Sequence, residues 1–87
     1  MDFDWDDANV DHIGRHGVTP EEVEEALLDT RRIGIPVFRV KSERRRGTIV
    51  ATWEGRLLFV VYTRRFRAVR VVTARDATHD ERQRYRR

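Results

Sequence analysis

The chain contains no cysteine, which excludes disulfide bonds, cysteine-ligated zinc and thiol nucleophiles. It has no apolar run near the ~18 residues that a membrane-spanning helix needs. Its acidic N-terminus, which reads Met1-Asp2-Phe3-Asp4, lacks the apolar core of a signal peptide. With 87 residues, the chain is too short to combine a nucleotide-binding domain with a substrate domain. We therefore expect one small domain over residues 1–87, soluble and cytoplasmic.

Lysine is also scarce, and the charge is unevenly distributed. Residues 1–30 carry ten acidic side chains and one basic side chain, whereas residues 31–87 carry seventeen basic and five acidic side chains. Every cation except Lys41 is an arginine. The planar guanidinium group suits phosphate and keeps its proton. The pattern favours a polyanionic partner, and the alternative is a solvated basic face that the acidic helices of the same chain neutralise.

Three N-terminal capping patterns predict three helices. Asp6 is a candidate N-cap for a first helix over residues 7–16. Thr19-Pro20-Glu21-Glu22 is a capping box that opens a second helix, which we expect to end near Asp29. Thr78-His79-Asp80-Glu81 is another capping box, and it opens a last helix that runs through about Arg86.

Period-two alternation and apolar runs predict the strands. A short edge strand is expected at residues 2–5, and further strands at residues 37–41, 48–53, 57–62 and 69–75, with residues 64–67 turning the chain. The apolar run from Leu57 to Tyr62 indicates a central strand covered on both faces. The order β-α-α-β-β-β-β-α favours an antiparallel sheet packed by helices, which is the α+β class. We expect most large aromatic side chains in the core, namely Phe3, Trp5, Phe38, Trp53 and Phe59.

Five segments in sequence order resemble the BrnT family, the toxins of bacterial type II toxin–antitoxin pairs. They are Trp5-Asp6-Asp7, His16-Gly17-Val18-Thr19-Pro20-Glu21-Glu22, Gly55-Arg56-Leu57-Leu58-Phe59-Val60-Val61-Tyr62-Thr63, Arg70-Val71-Val72-Thr73-Ala74-Arg75-Asp76-Ala77-Thr78, and Glu81-Arg82 with Tyr85. The resemblance implies a RelE-like fold and ribonuclease activity on RNA. It also implies a BrnA-type antitoxin with a ribbon-helix-helix DNA-binding domain, and a complex that represses its own operon.

Three arginines are the first candidates for catalysis: Arg64, Arg70 and Arg75. If the strands that carry them pair as a hairpin, all three could border one concave face. RNA cleavage by an internal 2′-hydroxyl requires stabilisation of the negative charge that develops at phosphorus, and fixed guanidinium groups provide it. Under this hypothesis Arg64 and Arg75 hold the scissile phosphate and Arg70 supports them. The alternative is surface pairing with the nearby acids Asp76, Asp80 and Glu81.

His16 and Tyr85 are candidates for moving protons. An unperturbed histidine pKa of ~6.5 suits proton transfer near neutrality, although a histidine in the last turn of a helix also stabilises that helix. The Tyr85 hydroxyl could reach a phosphate, or its ring could pack on the sheet. His12 and His16 have the i, i+4 spacing of metal ligands, but no third ligand is evident. We therefore expect neither a metal nor a cofactor.

Phe66, Arg67 and Arg82 are the predicted RNA-binding residues. Phe66 lies between Arg65 and Arg67 in a turn, where an exposed ring could stack on a base or anchor a partner. The sequence thus predicts a metal-independent endoribonuclease toxin. One alternative is a non-catalytic module that binds RNA or acts as a co-repressor. The other is a protein-binding domain whose basic face docks an acidic antitoxin segment.

Overall fold

Five strands and three helices follow one another in the predicted order. The computed structural model describes the backbone of residues 1–87 and every side chain except that of Val37. The elements are β1 (Asp2–Phe3), α1 (Asp7–Gly14), α2 (Pro20–Ala26), β2 (Ile33–Val40), β3 (Glu43–Ala51), β4 (Leu57–Arg65), β5 (Ala68–Asp76) and α3 (His79–Tyr85). The α+β class is confirmed. Among the described residues, no helix has the length and apolar character needed to cross a membrane.

The strands form one sheet with the order β1-β5-β4-β3-β2. From β2 to β5, each strand pairs antiparallel with the next strand in sequence. β4 has two strands on one side and two on the other, so it lies at the centre of the sheet, as its apolar run predicts. β1 instead pairs parallel with β5, with Asp2 opposite Ala68. The predicted antiparallel sheet is therefore confirmed for β2 to β5, whereas the short edge strand β1 is parallel to its neighbour. The likeness to RelE-like toxins stays a prediction of the resemblance.

Each helix begins at its predicted cap. The side chains of Asp6, Thr19 and Thr78 each accept a hydrogen bond from the backbone N–H three residues later. The helices end earlier than expected, α1 at Gly14 and α2 at Ala26. After α1, Gly17 adopts a φ of 71°, which lets the Val18 N–H donate to the Ile13 carbonyl at 3.1 Å and close the helix.

The strands are longer than predicted because the hairpin turns are short. β2 and β3 are joined by Lys41 and Ser42, whose φ values of 51° and 70° are typical of a type I′ turn. β3 therefore begins at Glu43 and includes the arginine run, not at residue 48 as expected, and β2 begins at Ile33 rather than at residue 37. β4 and β5 continue to a turn of only Phe66 and Arg67, not the predicted residues 64–67.

Two clusters of apolar side chains hold the layers together. Helices α1 and α2 cover one side of the sheet, which we call the helix face, where Ile13 and Val23 pack with Val50, Leu58 and Val60. Helix α3 covers the other side, the α3 face, where Ile49, Leu57 and Ala77 pack with Phe59 and Tyr85. Two aromatics predicted as core are exposed instead. Trp53 lies in the loop before β4 with 79% exposure, and Phe38 lies on the edge strand β2 with 41%.

Candidate functional site

The structure separates the three arginines that the sequence singled out. Arg64 is opposite Val69, a core residue of the helix face, whereas Arg75 is opposite Phe59 on the α3 face. The levels of Val69 and Arg75 along β5 differ by about 20 Å at ~3.3 Å per residue. The expectation that all three arginines border one concave face is therefore wrong. Arg64 points to the opposite side of the sheet from Arg75, because side chains alternate between the two faces along a strand. It also lies far from Arg75 along the sheet, because β4 and β5 extend beyond their predicted ends.

Arg75 is held by a carboxylate and a ring. Its guanidinium donates to both oxygens of Glu81, at 2.8 and 3.1 Å, and lies 4.6 Å from the centre of the Phe59 ring. The hydrogen bond from Arg75 lowers the pKa of Glu81 and outweighs the opposing effect of burial. Glu81 also accepts from the Thr78 N–H at 2.8 Å. One glutamate thus completes the helix cap and binds Arg75, as the surface-pairing alternative requires.

Arg70 joins β5 to the segment that precedes α1. Its guanidinium lies 3.0 Å from an Asp6 carboxylate oxygen and 3.5 Å from one of Asp4, and its side chain is only 17% exposed. Among the causes that lower the pKa of Asp6, the hydrogen bond from the Asn9 backbone comes first and the contact with Arg70 adds to it. These contacts give Arg70 a structural role.

Tyr85 and His16 lie far from Arg64. The Tyr85 hydroxyl donates to Asp29 Oδ2 at 2.5 Å, and that oxygen also accepts from the Ala51 N–H at 3.0 Å. Burial raises the pKa of Tyr85, and the bond to Asp29 raises it further. Tyr85 therefore links α3 to the loop that follows α2 and, through Asp29, to the end of β3. His16 is exposed just after α1, and its ring meets that of His12 edge-on at 5.6 Å.

Arg64 has other neighbours, which form a cluster on the helix face. Three adjoining depressions of about 400, 480 and 170 Å³ are all lined by Arg46 and Tyr62. Arg46 and Tyr62 are directly opposite in the β3–β4 pair. Arg64 follows two residues after Tyr62 and so points to the same side, and Arg32 lines two of the depressions. We call Arg32, Arg46, Tyr62 and Arg64 the arginine cluster.

Most guanidinium N–H groups of the arginine cluster have no hydrogen-bond partner among the described residues. No ion pair among the described side chains involves Arg46 or Arg64. Arg32 makes one bond, in which Nη1 donates to the Asp29 carbonyl at 3.3 Å. Glu43 is the one acidic residue that lines these depressions, and its carboxylate is 3.0 Å from Arg45 Nε. The guanidinium groups can therefore receive the oxygens of an anion such as a phosphate.

Comparison with known families decides what the chain is. A family model described as the ribonuclease toxin BrnT of type II toxin–antitoxin systems matches residues 5–81. The chain belongs to the BrnT family. It is thus a ribonuclease toxin of a type II system, in which the toxin has an antitoxin partner. The match contains the whole arginine cluster and Arg75, and it ends before Arg82 and Tyr85. No curated protein matches the chain.

Sequence reasoning about this BrnT chain missed Arg32, Arg46 and Tyr62. Arg46 stood in a run of three arginines with no strand-like alternation, and Tyr62 ended an apolar run that indicated only a buried strand. The available signal was the spacing of Tyr62 and Arg64 near the end of the central strand, because residues two apart in a strand point to the same face. The sequence could not show that Arg46 lies opposite Tyr62, because this pairing depends on the register of β3 against β4.

The predicted RNA-binding residues of the BrnT chain lie at opposite ends of the sheet. Phe66 and Arg67 form the exposed β4–β5 turn. Arg82 lies on α3, where its Nη1 donates to the Ala77 carbonyl at 3.1 Å. β5 runs from Ala68 to Asp76 between them, about 26 Å at ~3.3 Å per residue. RNA contact by Arg82 stays a prediction, and it would be separate from any contact at Phe66.

Proposed function

We propose that this BrnT chain is a metal-independent endoribonuclease that holds the scissile phosphate between Arg46 and Arg64. The observation that carries the proposal is the arginine cluster, where guanidinium groups that have no acidic partner among the described side chains surround the half-buried Tyr62. Guanidinium donors bind phosphate oxygens and stabilise the extra negative charge of the transition state. They supply the positive charge that a metal ion supplies in other nucleases. Because the substrate is cellular RNA, the proposed site of action is the cytoplasm.

The reaction that fits such a site is attack by the neighbouring 2′-hydroxyl. The 2′-oxygen bonds to phosphorus as its proton leaves, and the bond from phosphorus to the 5′-oxygen breaks as that oxygen gains a proton. The products are a 2′,3′-cyclic phosphate and a 5′-hydroxyl. Arg46 and Arg64 would stabilise the pentavalent phosphorane. Tyr62, which is directly opposite Arg46 and two residues before Arg64, offers a phenolic hydroxyl that could exchange a proton with the substrate.

The α3 face is the second possible location of the active site. Arg75 and Tyr85 both lie there, and the sequence predicted that Arg75 holds the phosphate with support from Arg70 and that Tyr85 or His16 moves protons. A phosphate bound at Arg75 would have to compete with the two bonds to Glu81, at 2.8 and 3.1 Å. The helix face requires no such exchange, which is why the proposal places the phosphate there.

Cleavage of a fluorescent RNA in EDTA by purified variants tests the location. Arg46→Gln and Arg64→Gln should each lower the rate on the order of a hundredfold or more, the usual effect of losing a transition-state donor. Arg84→Gln on α3 removes the same charge from an exposed site and is the matched control. Arg75→Gln should keep its activity per folded molecule.

A loss of cleavage in Arg75→Gln with full activity in Arg64→Gln would move the site to the α3 face. Inhibition by EDTA that a divalent ion reverses would contradict the metal-independent mechanism and draw attention to His12 and His16. Binding without cleavage, and no growth arrest on expression, would favour the non-catalytic alternative, a module that binds RNA or acts as a co-repressor.

The antitoxin of this system is proposed to be a BrnA-like protein with a ribbon-helix-helix domain, through which the complex contacts operator DNA. The match to the BrnT family supports an antitoxin partner. The basic surface around the arginine cluster is one that an acidic antitoxin segment would complement and mask. We expect fast, salt-sensitive association that Arg64→Glu weakens. An antitoxin bound only to the acidic helix α2, with the arginine cluster still open to RNA, would contradict masking.

A further inference from the structure

Two hairpin tips lie side by side at one end of the sheet. One is the β2–β3 turn at Lys41 and Ser42, and the other is the β4–β5 turn at Phe66 and Arg67. They are level because β3 begins three residues before Arg46, and β4 ends three residues after its partner Tyr62. The depression of about 400 Å³ between them is lined by Ser42 and Arg44 from the first hairpin and by Arg64 from the second. The arginine cluster therefore opens toward both tips.

The turn residue Phe66 has no packing role in the fold. Its side chain is fully exposed, so it adds nothing to the core. Its φ of 56° lies in the left-handed region, which a bulky side chain adopts only at a conformational cost and which glycine adopts freely. A strained residue without a packing role is typical of a ligand-binding site.

Cations surround this ring. Arg64, Arg65 and Arg67 share the hairpin with Phe66, and all three side chains are exposed. An exposed aromatic ring among arginines is the arrangement by which proteins bind single-stranded nucleic acid, since the ring stacks on a base while the cations contact phosphates. A base in a duplex is already stacked on both sides, so a double helix offers the ring nothing equivalent.

We infer that the substrate of this BrnT chain is unpaired RNA, one base of which stacks on Phe66 next to the phosphate held in the arginine cluster. The inference rests on the proposed function and adds the class of substrate. Arg64 and Phe66 are two residues apart, about 7 Å along an extended chain. A nucleotide adjoining the bound phosphate can therefore reach the ring.

The test measures fluorescence anisotropy with a short RNA that 2′-O-methylation makes uncleavable, as a single strand and annealed to its complement. Phe66→Ala should weaken single-strand binding by about five- to a hundredfold, the range found for loss of one stacked base, and leave duplex binding unchanged. Phe66→Trp should restore single-strand affinity. Trp53→Ala is the matched control, because Trp53 is 79% exposed in the loop at the other end of β4.

Stability and affinity should change in opposite directions in Phe66→Gly. Glycine relieves the positive φ, so the thermal midpoint should rise while single-strand affinity falls as in Phe66→Ala. Wild-type affinity in Phe66→Ala, or equal losses on single strand and duplex, would overturn the inference. So would a variant that keeps its RNA affinity but loses the antitoxin, because the tip would then be a protein-binding surface.

Failure of this inference is distinct from failure of the proposed function. If wild type cleaves RNA, Arg64→Gln does not, and Phe66→Ala behaves as wild type, then the active site stands and the stacking is refuted. If wild type neither binds these RNAs nor cleaves an unmodified single strand of the same sequence, both are refuted.

Discussion

Replacing Arg56 with alanine should destabilise the fold by about 2–3 kcal/mol, the sum of three hydrogen bonds at roughly 1 kcal/mol each. In the loop before β4, Arg56 Nε donates to Asp76 at 2.8 Å, and Nη1 donates to Glu22 and to the Gly17 carbonyl, each at 3.0 Å. It thus ties the end of β5 to α2 and to the turn after α1. The side chain is 29% exposed and that of Asp76 is 63% exposed, so the Asp76 pair contributes least.

Urea unfolding followed by circular dichroism measures this loss, and the thermal midpoint should fall by roughly 10–20 °C. Arg56→Lys keeps the charge but cannot reach three acceptors, so it should recover at most half of the stability. Glu22→Gln combined with Arg56→Ala in a double-mutant cycle should show a coupling near ~1 kcal/mol. Cleavage per folded molecule should not change, because Arg56 lies at the end of the sheet away from the arginine cluster.

The contribution of Arg56 should also depend on pH. Its hydrogen bond lowers the pKa of Asp76, and it helps to lower that of Glu22 against the opposing effect of burial. A carboxylate with a lowered folded pKa stabilises the fold fully above its unfolded pKa of ~4 and loses this effect as the pH falls through the folded pKa. The gap between wild type and Arg56→Ala should therefore shrink in acid. A loss below about 0.5 kcal/mol at neutral pH, within the usual range of surface substitutions, would refute this account.

Four further predictions follow from the contacts described. Thr19→Ala should cost about 1 kcal/mol in urea unfolding, through the lost cap, and leave toxicity per folded molecule unchanged. Tyr85→Phe should cost about 1 kcal/mol through the lost bond to Asp29; normal stability with no cleavage would instead make Tyr85 catalytic. Glu81→Gln keeps the helix cap but loses the carboxylate whose pKa Arg75 lowers. Its stability should therefore fall less than that of wild type as the pH drops below ~4.3. RNA affinity should fall steeply and log-linearly with salt, and a flat dependence would contradict phosphate binding.

Local sequence signals predicted the helices and the order of the elements. Each cap is a short-range pattern, so Asp6, Thr19 and Thr78 were readable without tertiary information. The apolar run from Leu57 identified the central strand for the same reason. The strand ends were not readable, because Arg44 to Arg46 lie in the exposed end of a hairpin, where no burial imposes alternation. β2 begins before Pro36 rather than after it, because an edge strand accommodates a proline.

The candidate site depended on features that the sequence does not carry. Which face a residue occupies follows from register, and a one-residue shift reverses it. The β4–β5 pair contains such an irregularity between Val61 and Tyr62. The sequence offered pairing with Glu81 as an alternative for all three arginines, but it did not show that Arg75 pairs with Glu81 whereas Arg64 has no acidic partner among the described side chains. The arginine count predicted an anion site, but only the register located it.

The parallel pairing of β1 with β5 has a genetic consequence. The first strand and α1 are held by the last strand, through the β1 ladder and through Asn9, whose side-chain amide donates to the Val71 carbonyl at 3.2 Å. A premature stop codon that removes β5 therefore leaves the N-terminal segment without its strand partner and leaves the central strand β4 paired only with β3. Among cells that survive expression of this toxin, nonsense mutations should be spread along the reading frame up to Asp76. Missense mutations should instead concentrate in the core and at Arg46 and Arg64.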